Sequence, residues 1–299
     1  MKIFDSKAGL NCYMPMCKIY PITVALMIGF LLIASCKLSG DPEIINSTAV
    51  NEGKDLKIEW KKVQNAEGYK LYCDGAKVSD WDIKETSYII PGPWYYCDFF
   101  GCRKGGFTCK TVEVLAYSSL GGDKRTASLN LTPKFARIDG LVSHDTEGNS
   151  WVKIDFLTGE IKAVPEYEVN PNIPNTAWFV FYNNSGKPEF RDAEEVGKEA
   201  NVRVKFSDSF NENTVPNLAP DPESYSTKIT ISIGKIYLWI DSKGKGYGSV
   251  DSSDYFGAIL VKNLIEGNNP GIFRWEGPYK IDLKILLQDK VKGLRWVKW

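Results

Sequence analysis

The chain has 299 residues, with 37 basic and 37 acidic side chains, seven cysteines and a single histidine. The charge is balanced and no basic run breaks it, so nucleic acid meets neither long-range nor local attraction. A histidine pair, a Gly-x-Ser-x-Gly elbow and a phosphate loop are all missing, which removes the commoner catalytic and zinc-binding constellations.

The first element in chain order is an apolar run from Ile22 to Ala34, broken only by Thr23 and preceded by Lys18. A secretory core is ~7–15 residues long and a spanning helix needs ~20, so the run reads as an export signal. Its end, Ile33-Ala34-Ser35-Cys36, resembles the lipobox of bacterial lipoproteins. That resemblance implies cleavage before Cys36 and acylation of its sulfur and new amino group. Residues 1–35 are then a signal peptide, with a compact form of it starting at Met14 or Met16, and residues 36–41 a short tether. An extended chain reaches at most ~3.5 Å per residue, so the next domain is expected close to the membrane. The expected location is the cell envelope. Lys37 in place of an aspartate favours the outer membrane or surface in a cell with two membranes.

Residues 42–133 alternate at period two. Leu56, Ile58 and Trp60 share one face, as do Tyr69 with Leu71, Tyr88 with Ile90, and Val112 with Val114 and Ala116. Asn51-Glu52-Gly53, Asp74-Gly75, Pro91-Gly92-Pro93 and Gly121-Gly122 punctuate these runs as turns. Strands at this spacing predict a β-sandwich. Leu56-x-Ile58-x-Trp60, Ala66-Glu67-Gly68-Tyr69-Lys70-Leu71-Tyr72, Thr86-Ser87-Tyr88-x-Ile90 and Val112-Glu113-Val114-Leu115-Ala116-Tyr117-Ser118 resemble, in order, fibronectin type III domains. The resemblance implies a core filled by Trp60 and Tyr69, and a binding or spacer module without catalysis. Residues 94–109 depart from the pattern as an aromatic-rich insertion, either packed on its cysteines or exposed as a binding tip.

Cys73, Cys97, Cys102 and Cys109 lie close together in an exported chain, which predicts two disulfides. Of three pairings, Cys97–Cys102 with Cys73–Cys109 is preferred. A zinc site is the rival, but the cluster has no Cys-x-x-Cys and His144 lies outside it.

Residues 134–299 are expected to form a second strand-rich domain, with alternating or continuous apolar runs at Val152–Phe156, Trp178–Tyr182, Val202–Phe206, Ile229–Ile233, Ile236–Ile240, Ile259–Val261, Ile281–Ile285 and Trp296-Val297. One short helix is expected over Asp192–Ala200, with Asp192 as its N-cap. The polar stretch Ser207–Thr227 reads as a long loop of the functional or disordered kind. Phe156-Leu157-Thr158-Gly159-Glu160, Ala177–Phe181, Gly234–Leu238 and Tyr255–Val261 resemble the HmuY family of haem-scavenging lipoproteins. That family is all-β and holds iron with two histidines, whereas this chain has one.

His144 in Ser143-His144-Asp145 reads as a solvated loop residue, and Asp241, Asp251 and Asp254 as part of a hairpin without calcium-loop spacing. Trp239 alternates out of phase with Leu238 and Ile240, which predicts a surface platform for a ligand together with Tyr247. The fold class expected is all-β: a fibronectin type III-like sandwich, then a second β-rich, sandwich-like domain. The function expected is a membrane-anchored, non-catalytic protein without a cofactor, binding a glycan, a protein or a small ligand. Haem scavenging and carbohydrate binding are the alternatives.

Overall fold

The computed structural model describes residues 38–79, 82–98, 101–118, 124–144, 148–242, 253–266 and 279–297. Among these, every strand pairing is antiparallel. The protein is all-β, built as two β-sandwiches in succession.

The first sandwich runs β1 (Ile44–Val50), β2 (Asp55–Trp60), β3 (Gly68–Cys73), β4 (Ala76–Lys77), β5 (Ser87–Ile90), the hairpin β6 (Trp94–Asp98) and β7 (Gly101–Gly105), then β8 (Thr111–Tyr117) and β9 (Lys124–Asn130). A sheet β1-β2-β5 faces a sheet β4-β3-β8-β9. β2 shows the cause: Leu56, Ile58 and Trp60 are buried in alternation with half-exposed Asp55, Lys57 and Glu59. Trp60 meets Tyr69 edge-on at 5.3 Å in this core, and the Tyr69 hydroxyl accepts the Val63 N–H at 2.8 Å. Asp74 and Gly75 both take positive φ, 49° and 82°, closing β3 onto β4 through the tight turn expected of Asp-Gly.

The second sandwich contains β10 (Lys134–Val142), β11 (Asn149–Asp155), β12 (Glu160–Pro165), β13 (Thr176–Asn184), β14 (Lys187–Asp192), β15 (Arg203–Asn211), β16 (Lys228–Thr230), β17 (Lys235–Ser242), β18 (Tyr255–Glu266) and β19 (Tyr279–Gln288). The sheet β10-β19-β18-β17-β15 packs on β12-β11-β13-β14-β16. Phe179, Phe181, Phe190 and Phe206 interlock between them at centroid distances of 5.4–5.8 Å, excepting Phe181, which is buried in the same cluster.

Two expectations need correction. Only Ala193–Val196 winds, as a 3-10 turn, because Gly197 enters the left-handed region (φ 79°) and stops it. Asp192 does cap that turn, accepting the Glu194 N–H at 3.0 Å. Its buried carboxylate also accepts from Arg203 Nε at 2.9 Å and Val204 N–H at 2.6 Å, tying β14 of one sheet to β15 of the other. Secondly, residues 207–227 are not a bare loop: β15 runs to Asn211, short 3-10 turns follow, and Ala219 and Tyr225 are buried against the outer face of β17 and β18. Residues from Ile138 to Leu287 supply the core of the second sandwich, while those after β19 also reach the first. Val291, Leu294 and Trp296 lie in the core of the first sandwich.

Candidate functional site

Trp239 is a core residue, which overturns the surface platform. It is wholly buried between the two sheets, and its Nε1 has no hydrogen-bond partner. Alternation did separate it from Leu238 and Ile236, but those two point into a second apolar layer with Ala219, Tyr225, Phe256 and Val297. Both faces of β17 are covered. Tyr247 and Cys36 lie outside the described residues. Cys73 and Cys109 form a disulfide, with Cα atoms 5.2 Å apart. Cys97 stands opposite Cys102 in the register of β6 and β7. Asp254 is buried, while Asp251 falls outside the described residues.

The cluster that the sequence did not assemble lies where β10, β12 and β13 end. Register puts it at the end of the second sandwich away from Pro133, where the chain enters from the first. His144 follows β10, and its backbone N–H donates to the Phe181 carbonyl at 2.9 Å, which lays the imidazole across the outer side of β11 and β13. The ring stands edge-on to Trp151 and tilted to Tyr182, both at 5.9 Å. It is not a solvated loop residue: its side chain is only 20% exposed. Nδ1 is buried without a hydrogen bond, 3.7 Å from Glu166 Oε2. The Trp151 indole N–H is also buried and unpartnered.

Charged groups surround these rings. The Arg191 guanidinium lies over Tyr182, 3.9 Å from the ring centroid, and is held there by Glu189 at 2.7–2.8 Å. Asn184 donates to the other Glu189 oxygen at 3.1 Å. Lys198 pairs with Glu166 at 3.3 Å and stands 5.8 Å over Trp151. Beside Glu166, Tyr167 is 87% exposed, the most exposed large apolar side chain among the described residues.

Chemically this surface carries a projecting phenol, a cation-stacked phenol, and carboxylates and cations in pairs. Phase could have pointed to it, because Trp178, Val180 and Tyr182 alternate with the core residues Ala177, Phe179 and Phe181. The long-range approach of His144, Glu166 and Lys198 had no sequence signal. Among the described residues no three His, Cys, Asp or Glu side chains are grouped to hold a metal ion, and no helix is long and apolar enough to cross a membrane. Comparison with protein families, with curated proteins and with solved structures returns no match to this chain.

Proposed function

We propose that this is an exported, lipid-anchored binding protein that holds a polar, non-catalytic recognition surface away from the membrane. The carrying observation is one of position. The lipobox-like Ile33–Cys36 ends just before Leu38, which packs into the first core, and Ser39 bridges Gln64 beyond the end of β2. The opposite end of β2, at Gly53 and Lys54, meets the C-terminal segment. Leu38 and Ser39 thus lie at the end of β2 away from the C-terminal segment, and the His144–Tyr182 cluster lies at the end of the second sandwich away from Pro133.

Two further observations support this reading. A disulfide suits an oxidising, extracytoplasmic compartment. The three-plus-four strand order, with Trp60 and Tyr69 in the core, supports a fibronectin type III-like module as the spacer. The ligand class that suits paired charges beside one exposed and one half-buried phenol is a glycan or another polar surface polymer.

The anchor is tested by mass spectrometry of the protein from its native membranes. Acyl chains on Cys36 are expected, and Cys36→Ala is expected to accumulate as uncleaved precursor. A mature protein without lipid on Cys36 would overturn the anchoring. Binding is tested on a glycan array with the full chain. Signals lost in Tyr167→Ala and Tyr182→Ala, both still folded, support the surface; signals that survive both substitutions place binding elsewhere.

A further inference from the structure

The last described residues do something that neither sandwich requires for its own strands. After β19 ends at Gln288, the chain does not pair into a sheet; it crosses over to the first sandwich. Its side chains then divide among different layers. Val291, Leu294 and Trp296 enter the first core, among Leu56, Ile90 and Leu131. Val297 enters the outer layer of the second sandwich, and the Lys292 ammonium stands 5.4 Å over the Tyr255 ring.

Backbone and polar contacts follow the same division. Toward the first sandwich, Arg295 N–H donates to the Gly53 carbonyl at 2.9 Å and Trp296 Nε1 to the Lys54 carbonyl at 2.8 Å. Toward the second, Gly293 N–H donates to the Asp254 carbonyl at 2.7 Å and Val297 N–H to the Asn217 carbonyl at 3.0 Å. The Arg295 side chain is buried, with Nε donating to the Ala219 carbonyl at 2.9 Å and Nη1 pairing with Asp221 at 2.8 Å. Lys54 of the first sandwich reaches the same Asp221 at 3.8 Å.

The approach is close enough to demand glycine. Gly53 has φ 78°, and a Cβ there would fall 2.0 Å from the Gly293 carbonyl oxygen.

We propose that residues 289–297 are a latch that completes the core of the first sandwich and locks the two sandwiches into one cooperative body of fixed mutual orientation. Domains joined only by a linker and a polar interface move and unfold separately by default. Here the boundary at Pro133 is bridged a second time, by a buried segment that belongs by sequence to the second sandwich and by packing to both. Loss of the latch exposes apolar surface on the first core, so opening is coupled to unfolding of that sandwich.

The test is native-state hydrogen exchange on the full chain, which needs no variant. The amides of Gly293, Arg295 and Val297 are expected to exchange only with the global opening that also exposes Ile58, Val114 and Phe181. Exchange of those three amides much faster than of both cores, as in a fraying tail, would overturn the latch. A second arm uses Trp296→Ala. Its single unfolding transition in calorimetry is expected to split in two, and protection in β2 and β8 to fall about a hundred-fold while β11 and β13 keep theirs. One unsplit transition with unchanged protection in β2 and β8 would equally overturn it. If the variant cannot be isolated folded, the wild-type exchange pattern decides.

Discussion

Trp239 and Gly257 face each other across β17 and β18, and the indole occupies the space in which residue 257 would carry a side chain. A Cβ on Gly257 would fall 2.1 Å from Trp239 Nε1 and 2.3 Å from the Leu286 carbonyl oxygen. The indole thus covers a glycine that would otherwise leave a void between the sheets. Trp239→Ala is expected to cost about 3–5 kcal/mol in denaturant unfolding of the full chain. Trp239→Phe removes an indole N–H that has no partner, so its cost is confined to lost contact, about 1–2 kcal/mol. Gly257→Ala is expected to cost about 1–3 kcal/mol through overpacking. A Trp239→Ala variant as stable as the parent would remove the indole from the core.

The Cys73–Cys109 bridge spans 36 residues and joins the end of β3 to the segment entering β8. A loop of that length restricts the unfolded chain by roughly 3–4 kcal/mol. Cys73→Ala with Cys109→Ala is expected to lose about that much in equilibrium unfolding. The register of Cys97 with Cys102 favours a second bridge, which thiol counting checks. No free thiol among these four under denaturing conditions is the expected result. Two free thiols would leave only the first bridge.

Asp192 and Arg203 tie the two sheets of the second sandwich together at 2.9 Å, with the carboxylate fully buried. Removing one partner of a buried pair leaves the other uncompensated, at about 3–5 kcal/mol. Asp192→Ala also takes the acceptor from the Val204 and Glu194 N–H groups. Because Arg203 keeps Glu194 as a second partner, the lower end of that range is expected. A chemical-denaturation loss below about 1 kcal/mol would show that the site relaxes around the missing carboxylate.

Tyr117 donates its phenol to Asp82 at 2.5 Å. Burial, and then this hydrogen bond to the carboxylate, push the phenol up to about 12, and the same bond holds the Asp82 carboxyl below its usual range. A raised phenol favours the protonated form in the folded protein. Its contribution is fully present below the unfolded value near ~10 and is lost as pH rises through about 12. Burial raises Tyr225 and Tyr237 as well. Spectrophotometric titration is therefore expected to show a late-ionising tyrosine fraction, reduced but not abolished in Tyr117→Phe. A late fraction of unchanged size in that variant would contradict the assignment.

Much of the architecture was legible in the residues. β2, β3, β5 and β8 follow from alternation, and the β3–β4 turn follows from Asp-Gly. β1, β4 and β9 escaped, because edge strands carry mixed polar residues such as Ile44–Val50 and Lys124–Asn130 and show little period. β14 escaped for a related reason, since Pro188 is its second residue and two charged residues, Glu189 and Asp192, are its buried ones along with Phe190. His144 was visible as the single histidine, but its neighbours come from three separate segments of the chain.

By itself the sequence determined which residues alternate, where the chain must turn, and that an apolar run ends at a cysteine. These are local properties, set by side-chain polarity at period two and by residues that tolerate positive φ. Only the tertiary structure decided which faces meet water. Period two says that the two faces of β17 differ, not that one is solvated. Residues 212–227 and 291–297 fold over the outer face, so Trp239 and Leu238 are both interior, and Tyr167 rather than Trp239 is the exposed aromatic.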